Sequence, residues 1–258
     1  MKRFFLFIIF ALLLSLPGEE IKKSAEEKDY SSLPENLIFG VPAESDLILN
    51  RKGFSLGYSK KYRQALWVSY ILTAEESTAK KVRRSNAFKV DPAIRYRPVL
   101  PKDYKKSGFD KGHLAPAADM SFSVESMKNS FYMSNISPQL PGCNRGIWKR
   151  LESKVRLWAQ KEEMLCIVTG PVFKKRNRRM KESKLPIPYA FYKVIFDMTP
   201  PHKMIGFLIP NDTTKKQLPA FVVSVDQLEL LTGFDFFSEL EDSLENTLEG
   251  RSDFNAWK

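Results

Sequence analysis

Phe109-Asp110-Lys111-Gly112-His113-Leu114-Ala115-Pro116 is the stretch on which the reading of this chain turns. It holds one of only two histidines in 258 residues. The imidazole follows a glycine and an acid–base pair, in a tract too interrupted for a long helix or a continuous strand. Placed this way it can take a proton near neutral pH. Taken alone, a histidine beside a glycine reads first as a turn residue, so the rest of the chain has to supply the context.

Composition narrows the possibilities. Apolar residues make up 43% and aromatics 12%, enough for a buried core and against global disorder. A formal charge of +11 favours polyanionic partners, either nucleic acid or an anionic membrane face. The basic residues gather in two tracts. One, over 80–97, carries Lys80, Lys81, Arg83, Arg84, Lys89, Arg95 and Arg97, and the other covers 174–184. Cys143 and Cys166 match no CxxC pair and have no histidine near them in sequence, so they do not read as a zinc knuckle. Pairing and burial as free thiols both stay open. No G-x-S-x-G appears, and His113 has no evident serine partner, which sets a serine hydrolase aside.

Lys2 and Arg3 precede an apolar run over 4–14, so residues 1–18 read as a signal peptide or a retained N-terminal anchor. That reading makes the protein exported, periplasmic or secreted, with anchoring as the alternative. Residues 19–36 are charged and aperiodic, as a flexible linker is. A single α+β domain is expected over 37–250 and a short tail over 251–258.

Within the domain, aromatic and β-branched runs predict strands over 54–59 and 64–72, with a hairpin punctuated at Arg51-Lys52-Gly53. Prolines 92, 98 and 101 exclude a long helix from 74–103. A helix over 124–133 is broken by residues 135–139. A second, over 144–163, is capped by Asn144 and turns Trp148, Leu151, Val155 and Trp158 to the core. Strands follow over 164–169 (ended by Gly170-Pro171), 189–196, 204–209 and 221–225. A short helix over 226–232 stops at Gly233. The acidic stretch 238–249 carries Leu240, Leu244 and Leu248 as a surface helix docked on the domain. His202, in a turn between two strands, is expected to be exposed and inert.

Asn144, Trp148 and Glu152 stand four residues apart, so Asn144 and Glu152 can overlook one site from a helix. An amide oxygen is a neutral, hard ligand suited to Mg²⁺, which keeps most of its waters, and a carboxylate one shell out can orient those waters.

These residues carry a resemblance. Asp110-Lys111-Gly112-His113 resembles the Asp-Arg-Gly-His signature of the DNA/RNA non-specific endonucleases, the ββα-metal (His-Me finger) nucleases that include endonuclease G. Further tracts are similar to that family in order and spacing. They are Tyr58…Ala65-Leu66-Trp67-Val68, Phe88…Asp91, Tyr104…Ser107-Gly108-Phe109, the run from Phe131 to Gln139, Asn144…Trp148…Leu151-Glu152, and Val168-Thr169-Gly170-Pro171. Together they cover about residues 37–235.

The resemblance implies an α+β fold with an antiparallel sheet core flanked by helices, and a Mg²⁺-dependent (Mn²⁺ as the alternative) endonuclease that cuts DNA and RNA to 5′-phosphate products. It implies His113 as general base, Asn144 as the direct ligand of a single metal ion, and Glu152 acting on that metal through water. It places Asn135 close to the catalytic histidine, and makes Arg84 a phosphate-binding arginine, with Arg83 the fallback. Asp110 fixes the loop. Lys111 stands where the family has arginine, keeping the charge and losing the planar fork. The basic tracts contact phosphates and read no bases. A nucleic-acid-binding protein with weak or lost catalysis, or a membrane-surface protein, are the competing expectations.

Overall fold

The computed structural model describes residues 34–258. The expected signal or anchor and most of the expected linker lie outside the described residues. Among the described residues no helix is long and apolar enough to cross a membrane.

The core is a seven-stranded sheet in which every neighbouring pair is antiparallel. Leu47–Arg51 (β1) and Phe54–Ser59 (β2) form the hairpin marked by Lys52-Gly53, and β2 pairs with Gln64–Thr73 (β3). A second, two-stranded ribbon joins Asp110–His113 (β4) to Ile136–Gln139 (β5). The main sheet resumes with Met164–Val172 (β6), Ala190–Asp197 (β7), Lys203–Pro210 (β8) and the two-residue Val222–Val223 (β9). The strand order β1-β2-β3-β6-β7-β8-β9 sets β3 beside β6 in the middle.

Helices cover both faces, as expected of this α+β class. Ala74–Thr78 (α1), Val124–Ser130 (α2) and Lys149–Glu162 (α3) precede Val225–Thr232 (α4) and Asp242–Glu249 (α5). Side chains alternate across each strand and so feed two cores. On β7, Phe191 and Ile195 join Trp148, Leu151, Val155 and Trp158 of the α3 side. Tyr192, Val194 and Phe196 join Val225, Leu228 and Leu248 of the α4/α5 side. The apolar stripes at 148–158 and 240–248 thus pack where their spacing predicts.

Several boundaries differ, each for a physical reason. The Asp110–His113 tract is a strand that its own sequence hides, since the pairing that makes it one reaches more than twenty residues along the chain. Residues 136–139, expected only to interrupt a helix, are that partner. Gly170-Pro171 sits inside β6 and does not end it. A Cβ at Gly170 would stand 2.2 Å from the Leu66 carbonyl oxygen, so the strand needs glycine there to pass its neighbour. The strand expected over 221–225 shrinks to β9, because Val225 opens α4.

Both ends of the domain reach further than 37–250. Asn36 accepts from Ile71 N–H through its side chain (3.3 Å) and from Ser69 Oγ through its carbonyl (2.6 Å). At the other end the expected tail folds back. Trp257 is 1% exposed, packs beside Trp158 and accepts the Trp158 indole N–H at its carbonyl. Cys143 and Cys166 are free and buried, one in each core. His202 is half-buried, packs on Phe196 and hydrogen-bonds the Asp197 carbonyl at 3.1 Å, so it is a packed turn residue where exposure was expected.

Candidate active site

The β4–β5 ribbon holds the histidine. His113 pairs with Ile136, and Gly112 with Ser137. A Cβ on Gly112 would come within 2.2 Å of Gln139 Oε1, so the glycine of the motif is required by close approach. Just beyond the strand, Leu114 N–H bonds the Asn135 carbonyl (3.0 Å). The Asn135 amide accepts from Ala115 N–H (2.9 Å) and donates to the carbonyls of Ala115 (3.0 Å) and Ser130 (2.9 Å). Asn135 was expected among the catalytic residues. Its amide is fully buried beside the end of the His113 strand and is bonded to the backbone of Ala115 and Ser130, with no surface open to substrate.

His113 is 7% exposed and sits between Phe131 (edge-on, 4.8 Å) and Phe88 (5.4 Å). Its Nε2 has no hydrogen-bond partner among the described residues. Burial, and then the Arg84 guanidinium, push its pKa down to about 3. The ring is therefore neutral at pH 7 and keeps a lone pair for a proton.

Asn144 comes from a different element. The Asn211 amide donates to the carbonyls of Pro138 and Pro188 (3.0 Å each) and accepts from Leu140 N–H (2.8 Å). Leu140 then receives Cys143 and Asn144 N–H at 3.0 and 2.9 Å. From there Cys143–Trp148 winds as a wide π turn broken at Gly146, and the regular helix starts only at Lys149. Asn144 therefore caps nothing. Wide turns of this kind recur at functional sites.

Asn144 Nδ2 donates to Asp110 Oδ2 (2.9 Å), and Arg145 grips the same carboxylate with bonds of 2.8 and 2.6 Å. Burial alone would raise the Asp110 carboxyl, but hydrogen bonds from Arg145 and Asn144, with the charges of Arg145 and Lys111, hold it below its ordinary value. An acceptor that stays ionised fixes which end of the amide is which. Nδ2 is engaged and Oδ1 is left free. Asp110 thus does more than fix a loop.

Glu152 lies two turns further on, against a buried polar group absent from the sequence reading. Arg156 donates to Asp119 Oδ1 (2.8 Å) and to Ser153 Oγ (3.1 Å), and Tyr70 Oη donates to Asp119 Oδ2 (3.1 Å). Lys193, fully buried on β7, faces the α3 side, with Nζ 5.1 Å from the Trp148 ring and 5.7 Å from Tyr70. Burial pushes Glu152 up to about 7, opposed chiefly by Lys193, while the Asp119 charge adds to the rise. Burial pushes Lys193 down to about 8, opposed by Glu152 and Asp119. Arg156 was readable as the next member of the 144–148–152 series. Lys193 was not, since only strand alternation and tertiary packing bring it under Glu152.

His113, Asn144, Glu152, Arg84, Lys111 and Arg156 line one cavity of about 420 Å³. Arg84 lies over the Phe131 ring at 5.3 Å, whereas Arg83 lines only the adjoining cavity of about 620 Å³. Of the two candidate arginines, it is Arg84 that faces the histidine. The two cavities share Arg84 and Arg156, and Lys80 continues the basic lining. Lys111 Nζ rests over Phe88 at 4.9 Å and Tyr104 at 6.0 Å. A point charge on aromatic faces stands at the cavity wall where the expected signature has a guanidinium.

Comparison with known proteins finds nucleases similar to this chain over most of its length. The model of the DNA/RNA non-specific endonuclease family matches residues 34–243. Nuclease C1 of Cunninghamella echinulata var. echinulata is 33% identical over 223 residues, 80% of this chain and 88% of that protein. The mitochondrial nuclease of Saccharomyces cerevisiae is 30% identical over 81% of this chain and 71% of its own. Human mitochondrial endonuclease G is 29% identical over 77% and 71%. A crystal structure of the EndoG/EndoGI complex superposes with a TM-score of 0.77 at 27% identity, covering 84% of this chain and 96% of that one.

Proposed function

Since this chain belongs to the DNA/RNA non-specific endonuclease family, whose members are typically metal-dependent, we propose that it hydrolyses phosphodiester bonds in both DNA and RNA with His113 as general base. One observation carries the assignment. A buried, neutral histidine whose Nε2 lacks a protein partner shares a cavity with Asn144, Glu152 and Arg84.

The donor set fits a hard divalent cation, because Asp110 leaves the Asn144 amide oxygen free and Glu152 is an acid only partly offset by nearby cations. Asn144 would hold it directly and Glu152 through water, with Mg²⁺ first and Mn²⁺ as the alternative. When bound, it supplies positive charge to the nonbridging and leaving oxygens. The chain's own residues do the rest. His113 accepts the proton of the attacking water, and Phe88 and Phe131 keep its ring dry and neutral until then. Arg84 and Arg156 present guanidinium groups to the scissile phosphate, and Lys111 adds an unforked charge. Because the bond to the 3′ oxygen breaks, the products carry 5′-phosphate. The linked basic cavities position a backbone and leave sequence unread. The apolar run over 4–14 supports export, which sequencing the mature N-terminus would check.

Digestion of supercoiled plasmid and of single-stranded RNA with Mg²⁺, and again in EDTA, tests the reading, with end groups identified by phosphatase-dependent labelling. Cleavage of both polymers with Mg²⁺ only, leaving 5′-phosphate, is expected. Cleavage in EDTA, or 3′-phosphate ends, contradicts it.

A further inference from the structure

On the far face of the sheet from the catalytic cavity, α4 and α5 meet around a group of carboxylates. Asp226 and Glu229 stand one turn apart on α4, and Glu249 is the last residue of α5. Each offers one oxygen, and the three oxygens lie within 4.8 Å of one another. Glu249 is only 5% exposed, and its Oε1 has no hydrogen-bond partner among the described residues. Glu229 is held in place by Phe236 N–H at 2.9 Å.

The chain has 41 lysines and arginines, yet the described ones leave this corner without an ion-pair partner. Among the described residues no lysine or arginine makes an ion pair with Asp226, Glu229, Asp235, Glu245 or Glu249. Burial, and then the charges of Glu229, Glu245, Asp226 and Asp235, push the Glu249 carboxyl up to about 8. Burial and the same crowding push Glu245 up to about 7. A buried carboxylate that accepts nothing and repels its neighbours is costly unless a cation joins it.

We propose that Asp226, Glu229 and Glu249 form a calcium site that clamps the C-terminal helix α5 to α4. The donors are all carboxylate oxygens, which suits a hard cation and excludes the nitrogen and sulfur sets that zinc prefers. Opposite oxygens around calcium lie ~5 Å apart, from ligand distances of 2.3–2.6 Å, so the observed spread fits one ion. Mg²⁺ demands a tighter octahedron and keeps most of its waters, which a partly dry cluster serves poorly. Asp226 on the exposed rim gives the ion an entry. Without the ion, α5 docks through Leu244 and Leu248 while its last residue must keep its proton or be repelled by its neighbours.

Thermal unfolding of the full chain in EDTA and in 10 mM CaCl₂ tests this, alongside Asn144→Ala, Glu249→Gln and Asp226→Asn. Calcium should raise Tm by about 3–10 °C, from an affinity in the 10⁻⁴–10⁻³ M range of weak oxygen sites. The shift should persist in Asn144→Ala, whose change lies in the catalytic cavity, and vanish in Glu249→Gln and Asp226→Asn. In EDTA at pH 9, where the buried carboxyl is ionised, Glu249→Gln should also melt higher than the unchanged protein, because repulsion is relieved. If Glu249→Gln fails to fold, Asp226→Asn on the rim still decides. No calcium shift in the unchanged chain overturns the proposal, as does a shift that survives both cluster variants or is lost in Asn144→Ala.

Discussion

His113 is neutral because of its surroundings, and that state carries a pH signature. Its pKa is depressed to about 3 by burial and Arg84, against ~6.5 when unfolded. Above pH 6.5 both states hold a neutral ring and nothing is lost. As pH falls from 6.5 towards 3 the unfolded chain binds a proton that the folded chain refuses, costing up to ~1.4 kcal/mol per pH unit. Urea unfolding should show the unchanged protein losing about 2–3 kcal/mol more than His113→Gln between pH 7 and 4.5. Equal losses would contradict the burial argument. Two neighbours bear on the proposed metal site. Asp110→Asn weakens the acceptor that orients Asn144, and Lys193→Met removes the cation that most opposes the rise in the Glu152 carboxyl. Each should raise the Mg²⁺ concentration for half-maximal activity by about 10–100-fold, with circular dichroism unchanged. An unaltered metal titration would remove them from the site. At this scale His113, Asn144 and Glu152 were legible as lining of one cavity from motif and spacing, and Arg84 from the family resemblance alone. Arg156 was legible in principle on the same stripe. Lys193 and Asp119 were not, since a buried charge has no sequence signature and is brought in only by the fold.

Among the elements, the β4–β5 ribbon is the piece the chemistry depends on. Gly112 faces Gln139 so closely that Gly112→Ala must either move the glutamine or part the strands. It should lower the unfolding free energy by about 1–3 kcal/mol as an overpacking change. It should also cut activity more than stability explains, because His113 is the next residue. A melting temperature and specific activity equal to those of the unchanged protein would contradict this. The C-terminal turn is a second case. Removing residues 251–258 takes Trp257 out of the core, where Trp158 and Phe207 pack. A loss of about 3–5 kcal/mol is expected by denaturant unfolding, the size of a buried tryptophan. Long periodic elements such as α3 and β3 were legible from their patterns. The ribbon was not, because its partners lie far apart in sequence and four residues show no period. The π turn before α3 was also hidden, since spacing at 3.6 residues assumes a regular helix.

At the scale of the whole domain, a basic cluster and an acidic one lie on opposite faces of the sheet among the described residues. Lys80, Arg83, Arg84, Lys111, Arg145, Lys149 and Arg156 line the linked cavities on the α3 side. The far face, by contrast, carries the carboxylates of α4 and α5. A substrate gripped by phosphate contacts releases counterions, so KM for duplex DNA should climb steeply between 50 and 200 mM salt while kcat changes little. A flat salt dependence would mean that the basic groove is not the path of the backbone. The most direct test of the central claim is single-turnover cleavage of an end-labelled duplex by the unchanged protein and by His113→Ala, at saturating enzyme and Mg²⁺. With His113 as general base, the cleavage rate should fall by about 10²–10⁴-fold while duplex affinity holds. A His113→Ala protein that cuts at the unchanged rate would contradict the account.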